Sequence, residues 1–242
     1  MSILTRQSSA GLGTPRPAIP PLEPGDRLSR EEFLRRYEAM PEHVKAERIE
    51  GVVYMPAAAV SAGFHGIPHA HLTAWLGWYR AFTPGVEVAD NSTILLDLDN
   101  DPQPDACLYV LASSGGRVKT DEKQYIVGAP DLIIEVSGST ASFDLGAKLN
   151  AYRRNGVREY LVYRAYDGQF DWFVLRDGQF QRLVADAQKI YRSEIFPGLW
   201  LKEDAMIAGD LSQVLLTLQA GVASNEHQLF IGRLAAAAKP ST

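Results

Sequence analysis

The chain has 242 residues, a net charge of −5, an apolar fraction of 46% and a charged fraction of 22%. These values describe one ordinary globular domain with extensions, long enough to bury a core. They exclude a coat-like, non-specific nucleic-acid binder, which would carry a basic field. Cys107 is the single cysteine, which excludes a disulfide framework and a cysteine-rich zinc site. No run of about 18 apolar residues offers a membrane span. Met1–Gly13 lacks the basic start and long apolar run of a signal peptide, so a cytoplasmic protein is expected.

Residues 1–27 hold Pro15, Pro17, Pro20, Pro21 and Pro24 without an apolar period and read as a flexible or extended Pro-rich leader. Ser29 with Glu32 three residues on is capping chemistry, so a helix is expected from there to about Glu38 or Ala39, stopped before Pro41. A short turn is expected over His43–Arg48, then a turn at Glu50-Gly51 into a strand ending near Met55. Ile67, Leu72, Trp75, Leu76, Tyr79 and Phe82 recur at helical spacing; Pro68 fits only the first turn, so that helix starts near Ile67.

Strands are expected over Ser92–Leu98, Asp105–Leu111 and Leu132–Val136. The last is apolar on both faces except for its acids, the pattern of a central strand in a covered sheet. A helix over Asp144–Asn155 stops at Gly156, and a strand follows at Glu159–Arg164. Asp167-Gly168 and Asp177-Gly178 are hairpin turns leading into strands Gln169–Leu175 and Gln179–Val184. A short strand around Glu194–Leu201, broken at Pro197-Gly198, precedes helices near 210–220 and 224–237. The resulting division is a leader (1–27), one domain (28–205) and a C-terminal helical extension (206–242). The order predicts an α/β (α+β mixed) fold, a central mixed β-sheet flanked by helices.

Three charges fall on apolar patterns. Asp105 opens its strand, Glu135 interrupts Leu132–Val136, and Lys148 shares a helical face with Leu145, Leu149 and Tyr152. A core charge without a partner costs several kcal/mol, so such positions usually hold paired or metal-bound groups. Alternation puts Asp105, Cys107 and Tyr109 on one face of their strand and Asp131, Ile133 and Glu135 on one face of theirs. If those strands pair, Asp105 and Glu135 meet, and two close carboxylates need a shared proton or a cation. Magnesium, or manganese, suits oxygen ligands and keeps waters for a substrate phosphate. Lys148, carried inward by its apolar neighbours, would orient the attacking water and offset phosphate charge. Taken singly, each residue also reads as an edge-strand acid or a snorkelling lysine. Glu47 and Glu50 precede the strand at Val52–Tyr54; either could add a carboxylate, and spacing does not choose between them.

Other signals are weaker. His65 and His69 have i, i+4 spacing, but Pro68 interrupts and no His-Glu-x-x-His is present, so a zinc site is not expected. Gly138 and Gly146 are too far apart for a phosphate loop ending at Lys148.

The segments Glu47–Met55, Pro102–Asp105, Ala129–Val136, Asp144–Leu149 and Tyr152–Tyr160 resemble the Uma2 family over roughly residues 28–205. This family has a restriction-endonuclease domain of the PD-(D/E)XK nuclease superfamily. The resemblance implies a restriction-endonuclease-like core and magnesium-dependent DNA cleavage. It places Asp105 as the "PD" aspartate and Glu135 as the second acid. Ser137 stands where the motif has lysine, and Lys148 matches a lysine moved to the next helix. Glu47 matches the acid before the first strand, and His65 a position at the start of the second helix. On this reading Asp105 and Glu135 bind the metal with help from Glu47 and the Val136 carbonyl, while His65, Glu50 and Asp131 are candidates to touch substrate. A homodimer is expected, because cutting two strands is simplest with two symmetric sites. The alternatives are a nuclease-fold module that binds nucleic acid or protein without turnover, and a magnesium-dependent hydrolase of small phosphates.

Overall fold

The structure, a computed structural model, describes residues 19–55 and 60–238. Helix α1 (Arg30–Tyr37) is capped by Ser29, whose side chain accepts from the Glu32 amide. Strands β1 (Glu47–Ile49) and β2 (Val52–Tyr54) form a small antiparallel hairpin. A π-helical turn (Ala62–Gly66) leads into α2 (Ile67–Ala81), with Pro68 in the first turn where its missing N–H costs nothing. β3 (Val86–Asp90), β4 (Ile94–Leu95), β5 (Ala106–Val110), β6 (Lys119–Thr120), β7 (Ile126–Val127) and β8 (Leu132–Ser137) follow. One continuous helical stretch contains α3 (Ala141–Phe143), a second π-helical turn (Asp144–Lys148) and α4 (Leu149–Arg154). β9 (Glu159–Arg164), β10 (Gln169–Arg176), β11 (Gln179–Arg182), β12 (Ile190–Arg192) and β13 (Trp200–Lys202) precede three helices, α5 (Glu203–Ala208), α6 (Leu211–Val222) and α7 (Asn225–Ala237).

The main sheet has six strands in the order β11-β10-β9-β8-β5-β3. Only β8 and β9 run parallel; the other pairs are antiparallel, as the expected mixed sheet requires. Every residue of β8 is buried because both faces are covered. Leu132, Ile134 and Val136 join Trp75, Leu76 and the α6–α7 side chains on one face. Ile133, Cys107, Tyr152 and Tyr160 pack on the other. A third, smaller cluster holds Leu22, Phe33, Ala46 and Val53.

Several elements differ from the sequence expectation. Residues 47–49 are strand, not a turn, because Glu47–Ile49 pairs with β2 across Glu50-Gly51, both at positive φ. The strand expected over Ser92–Leu98 shrinks to β4; the longer strand is β3, which the sequence reading passed over. β3 is an edge strand of mixed burial ending at Asp90, and Asn91 at φ 48° turns the chain away. β6, β7 and α5 are further elements too short to carry a period. The strand expected around Glu194–Leu201 is instead the β12–β13 hairpin. Within the leader, Leu22 is buried and the Gly25 amide donates to the Val53 carbonyl; residues 1–18 lie outside the described residues. Among the described residues no helix is long and apolar enough to cross a membrane.

Candidate active site

The register of β5 against β8 pairs Ala106 with Ile134 and Cys107 with Ile133, so the next step along sets Asp105 beside Glu135. Both side chains lie on the Ile133 face, as alternation predicts. Asp105 is anchored there: its Oδ2 accepts from the Val136 amide at 2.7 Å.

The following helical stretch supplies the lysine. Leu145, Leu149 and Tyr152 dock on the same face of the sheet and carry Lys148 in with them, 4% exposed. Its Nζ lies 2.9 Å from Glu135 Oε1, 2.9 Å from Glu47 Oε2 and 3.8 Å from Asp144 Oδ1. Tyr152 donates its hydroxyl to Glu135 Oε1 at 2.9 Å, and the Gln103 amide donates to Glu47 Oε2 at 3.1 Å. Ser137 and Thr140 donate to Asp144 Oδ2 at 2.6 and 2.8 Å. Three carboxylates, Glu135, Glu47 and Asp144, thus face one ammonium in a buried setting.

The electrostatics sort these groups. Burial works against the charge on Lys148, but Glu135, Glu47 and Asp144 outweigh it and hold the amine above its ordinary range. Burial raises Glu135 well above the usual carboxylate range and raises Glu47 too, with Lys148 opposing both shifts. Asp105 moves the other way: burial favours its neutral form, yet His65 holds it below the ordinary value. Lys148 is therefore a fixed cation and Asp105 a fixed anion, while Glu135 and Glu47 bind protons more readily than free carboxylates.

His65 sits beside this cluster. Its Nδ1 is 3.0 Å from the Val136 carbonyl and its Nε2 is 3.4 Å from Asp105 Oδ1. That carbonyl, which the sequence reading offered to a metal, here accepts from His65. One turn on, His69 Nε2 lies 2.6 Å from Asp90 Oδ1 and 3.0 Å from the Asp105 carbonyl. The sequence predicts no zinc site here, both because His-Glu-x-x-His is absent and because Pro68 interrupts. The π-helical turn and the placement of Pro68 in the first turn of α2 remove the second objection, and His65, His69 and Asp105 bring three potential ligand atoms within 4.8 Å of one another.

Two candidates go elsewhere. Glu50 sits in the β1–β2 turn, half-exposed, with its carboxylate on Arg154, so the geometry selects Glu47 over Glu50 for the cluster. Asp131 lies just before β8, roughly 13 Å of strand from Glu135. Its Oδ2 accepts from the Val110 amide, with Arg117 and Arg158 each 3.5 Å from Oδ1. Sequence reasoning missed Asp144 and Asp90. Asp144 was legible as the acid four residues before Lys148 on its helix; Asp90 carried no signal, because its strand went unread.

The cluster lines a cavity of about 610 Å³ whose walls include Glu47, His65, Asp105, Glu135 and Lys148. Phe64 and Tyr166, both exposed, meet edge to face at 4.6 Å on its border.

A mixed sheet covered by helices on both faces, with acids at the adjoining ends of two central strands and a lysine from the next helix, defines a protein of the restriction-endonuclease-like fold class. The chain belongs to the Uma2 family: the model of that family, described as "Putative restriction endonuclease", matches residues 30–204. It is similar to the crystal structure of a "putative nuclease belonging to DUF820" from Anabaena variabilis, with a TM-score of 0.54 and 12% identity, covering 73% of this chain and 97% of that one. At that identity the likeness is one of fold. No curated protein gives a significant sequence match.

Proposed function

We propose that this chain is a metal-dependent endonuclease that hydrolyses phosphodiester bonds in DNA. The observation that carries the reading is the meeting of Asp105, Glu135, Glu47 and Lys148 in one cavity. The donor set fits a hard divalent ion: oxygen ligands predominate, and the carboxylates outnumber the cation. Asp105 and Glu135 would hold magnesium or manganese. Such an ion, when bound, supplies charge neutralisation at the phosphate and makes water more acidic.

The side chains then divide the remaining work. Lys148 keeps its proton, so it does not act as a base. It donates hydrogen bonds, to the attacking water or to a non-bridging phosphate oxygen, and adds positive charge where negative charge develops. Glu47, beside Lys148 in the same cavity, would accept the proton that the water gives up as its oxygen bonds to phosphorus and the P–O3′ bond breaks, the 3′ oxygen leaving with a proton from solvent. Tyr152 and Lys148 together fix Glu135 Oε1, so the carboxylate is oriented before substrate arrives.

The test is conversion of supercoiled plasmid to nicked or linear DNA with manganese or magnesium. The expected result is cleavage that stops with chelator and falls by at least about 100-fold in Lys148→Met, with circular dichroism confirming that the variant is folded. Cleavage that persists at the wild-type rate in a folded Lys148→Met would refute the assignment. A second reading, a nuclease-fold module that binds without turnover, draws support from the net charge of −5. Metal-independent DNA binding with no cleavage under any of these conditions would favour it.

A further inference from the structure

We infer that His65, His69 and Asp105, with Asp90 behind them, form a nitrogen-bearing site for a borderline transition-metal ion, separate from the Glu135–Lys148 centre and sharing only Asp105 with it. The inference concerns metal binding and holds whether or not the chain cuts DNA.

His65 is set up as a metal ligand. A carbonyl can only accept, so the 3.0 Å contact with Val136 assigns the proton to Nδ1. Nε2 faces Asp105 Oδ1 and shares a proton with it in the metal-free chain; a metal ion would take that proton's place. An imidazole held by a backbone carbonyl through its far nitrogen is the usual outer-shell arrangement of a ligating histidine, fixing both tautomer and ring orientation. The 3.4 Å between Nε2 and Asp105 Oδ1 equals the edge of a tetrahedron with bonds of about 2.1 Å. Asp105 cannot swing away, because Val136 N–H holds its other oxygen.

His69 completes the set from the same helical face, its ring 5.6 Å from that of His65. Its Nε2 now places a proton between two acceptors, Asp90 Oδ1 at 2.6 Å and the Asp105 carbonyl at 3.0 Å. A cation in that position meets the same oxygens, the imidazole binding in its neutral form with its remaining proton on Nδ1. The local backbone serves this geometry: a π-helical turn directly precedes α2 and carries His65, and such turns are frequent at functional sites.

The ligand chemistry selects the ion. Two imidazoles and one or two carboxylates suit zinc, cobalt or manganese. Magnesium prefers oxygen throughout and gives up its waters reluctantly. Glu135 stays outside this set, its Oε1 engaged by Lys148 and Tyr152.

The experiment titrates the metal-free full-length chain with cobalt chloride and follows visible absorption, which intensifies when nitrogen ligands replace water in a low-coordinate site. The expected result is saturation at one ion per chain, displacement by zinc chloride and no displacement by a comparable concentration of magnesium chloride. Glu50→Gln should bind like wild type, while His69→Gln and His65→Gln lose at least about 10-fold in affinity. Melting temperatures without metal show whether those variants are folded. A wild-type measurement stands beside them: zinc should shift the ring-nitrogen NMR resonances of His65 and His69 and leave those of His43, His71 and His227 in place. Absent cobalt bands, bands unchanged in both folded histidine variants, or unmoved His65 and His69 resonances would each overturn the site. Intact bands without DNA cleavage would sink the hydrolytic reading alone.

Discussion

Lys148 donates to two carboxylates at equal distance, and a third lies within 4 Å, so its removal is felt twice, in chemistry and in stability. Breaking a buried ion pair by deleting one partner typically costs about 3–5 kcal/mol, less whatever the orphaned acids recover by taking up protons. Lys148→Met should therefore unfold at lower urea in addition to losing activity, and an unchanged urea midpoint would show that the ammonium is not compensating Glu135 and Glu47. Glu159 makes the opposite case, a buried acid with no cation on it among the described residues. Its oxygens accept from the Ser193 hydroxyl and from the amides of Glu194 and Ile195, and burial pushes it up to about 7. A carboxyl whose folded value lies above its unfolded one stabilises the fold fully below about pH 4.5, and that contribution is lost as pH rises through about 7. Glu159→Gln copies the protonated form. Between pH 5 and 8 the wild type should lose stability relative to this variant by at most about 3 kcal/mol in urea denaturation; parallel pH profiles would contradict the burial argument. At this scale Asp105, Glu135 and Lys148 were legible because each charge broke an apolar pattern. Asp90 and the Glu159 latch were not, because nothing local marks which donors a folded chain will bring to an acid.

Among the elements, β8 places Glu135 at the candidate site and the two π-helical turns flank it, one carrying His65 and the other ending at Lys148. Long elements with a strong period were readable: α2, β8, the β9–β10–β11 hairpins and the C-terminal helices fall close to where spacing puts them. The failures share one cause. β3 is a half-buried edge strand, and β4, β6 and β7 have two residues each, too few to show alternation. Their place is set by partners distant in sequence. A second feature legible only in three dimensions is the contact between α6 and the turn at Pro197-Gly198. A Cβ at Gly221 would lie 2.2 Å from the Gly198 carbonyl oxygen. Gly221→Ala must push helix and turn apart, and overpacking of this kind costs about 1–3 kcal/mol. The urea midpoint should fall accordingly; a variant as stable as wild type would mean that the turn yields freely.

Over the whole molecule, the site draws on β3, β5 and β8 at one side of the sheet, on the helical stretch after β8 and on the small β1–β2 hairpin, which delivers Glu47. The sequence division at 205/206 rests on element order. The helices beyond it nevertheless share a core with the sheet: Val214, Leu218, Phe230 and Leu234 belong to the same cluster as Trp75, Leu132 and Trp172. His227 also bonds to buried Thr83 at the end of α2. A chain truncated after residue 205 should expose this face, bind hydrophobic dye and lose its cooperative unfolding transition; a sharp, unaltered transition would show that the extension folds apart. Order along the chain was readable from the sequence, but which surface the last helices cover was not, because an amphipathic stripe does not name its partner. The convergence of acids and lysine is tested most directly by plasmid cleavage in manganese by wild type, Asp105→Asn and Glu50→Gln, prepared in parallel. The account predicts that Asp105→Asn loses at least about 100-fold in rate while Glu50→Gln cuts like wild type; equal cleavage by wild type and a folded Asp105→Asn would contradict it.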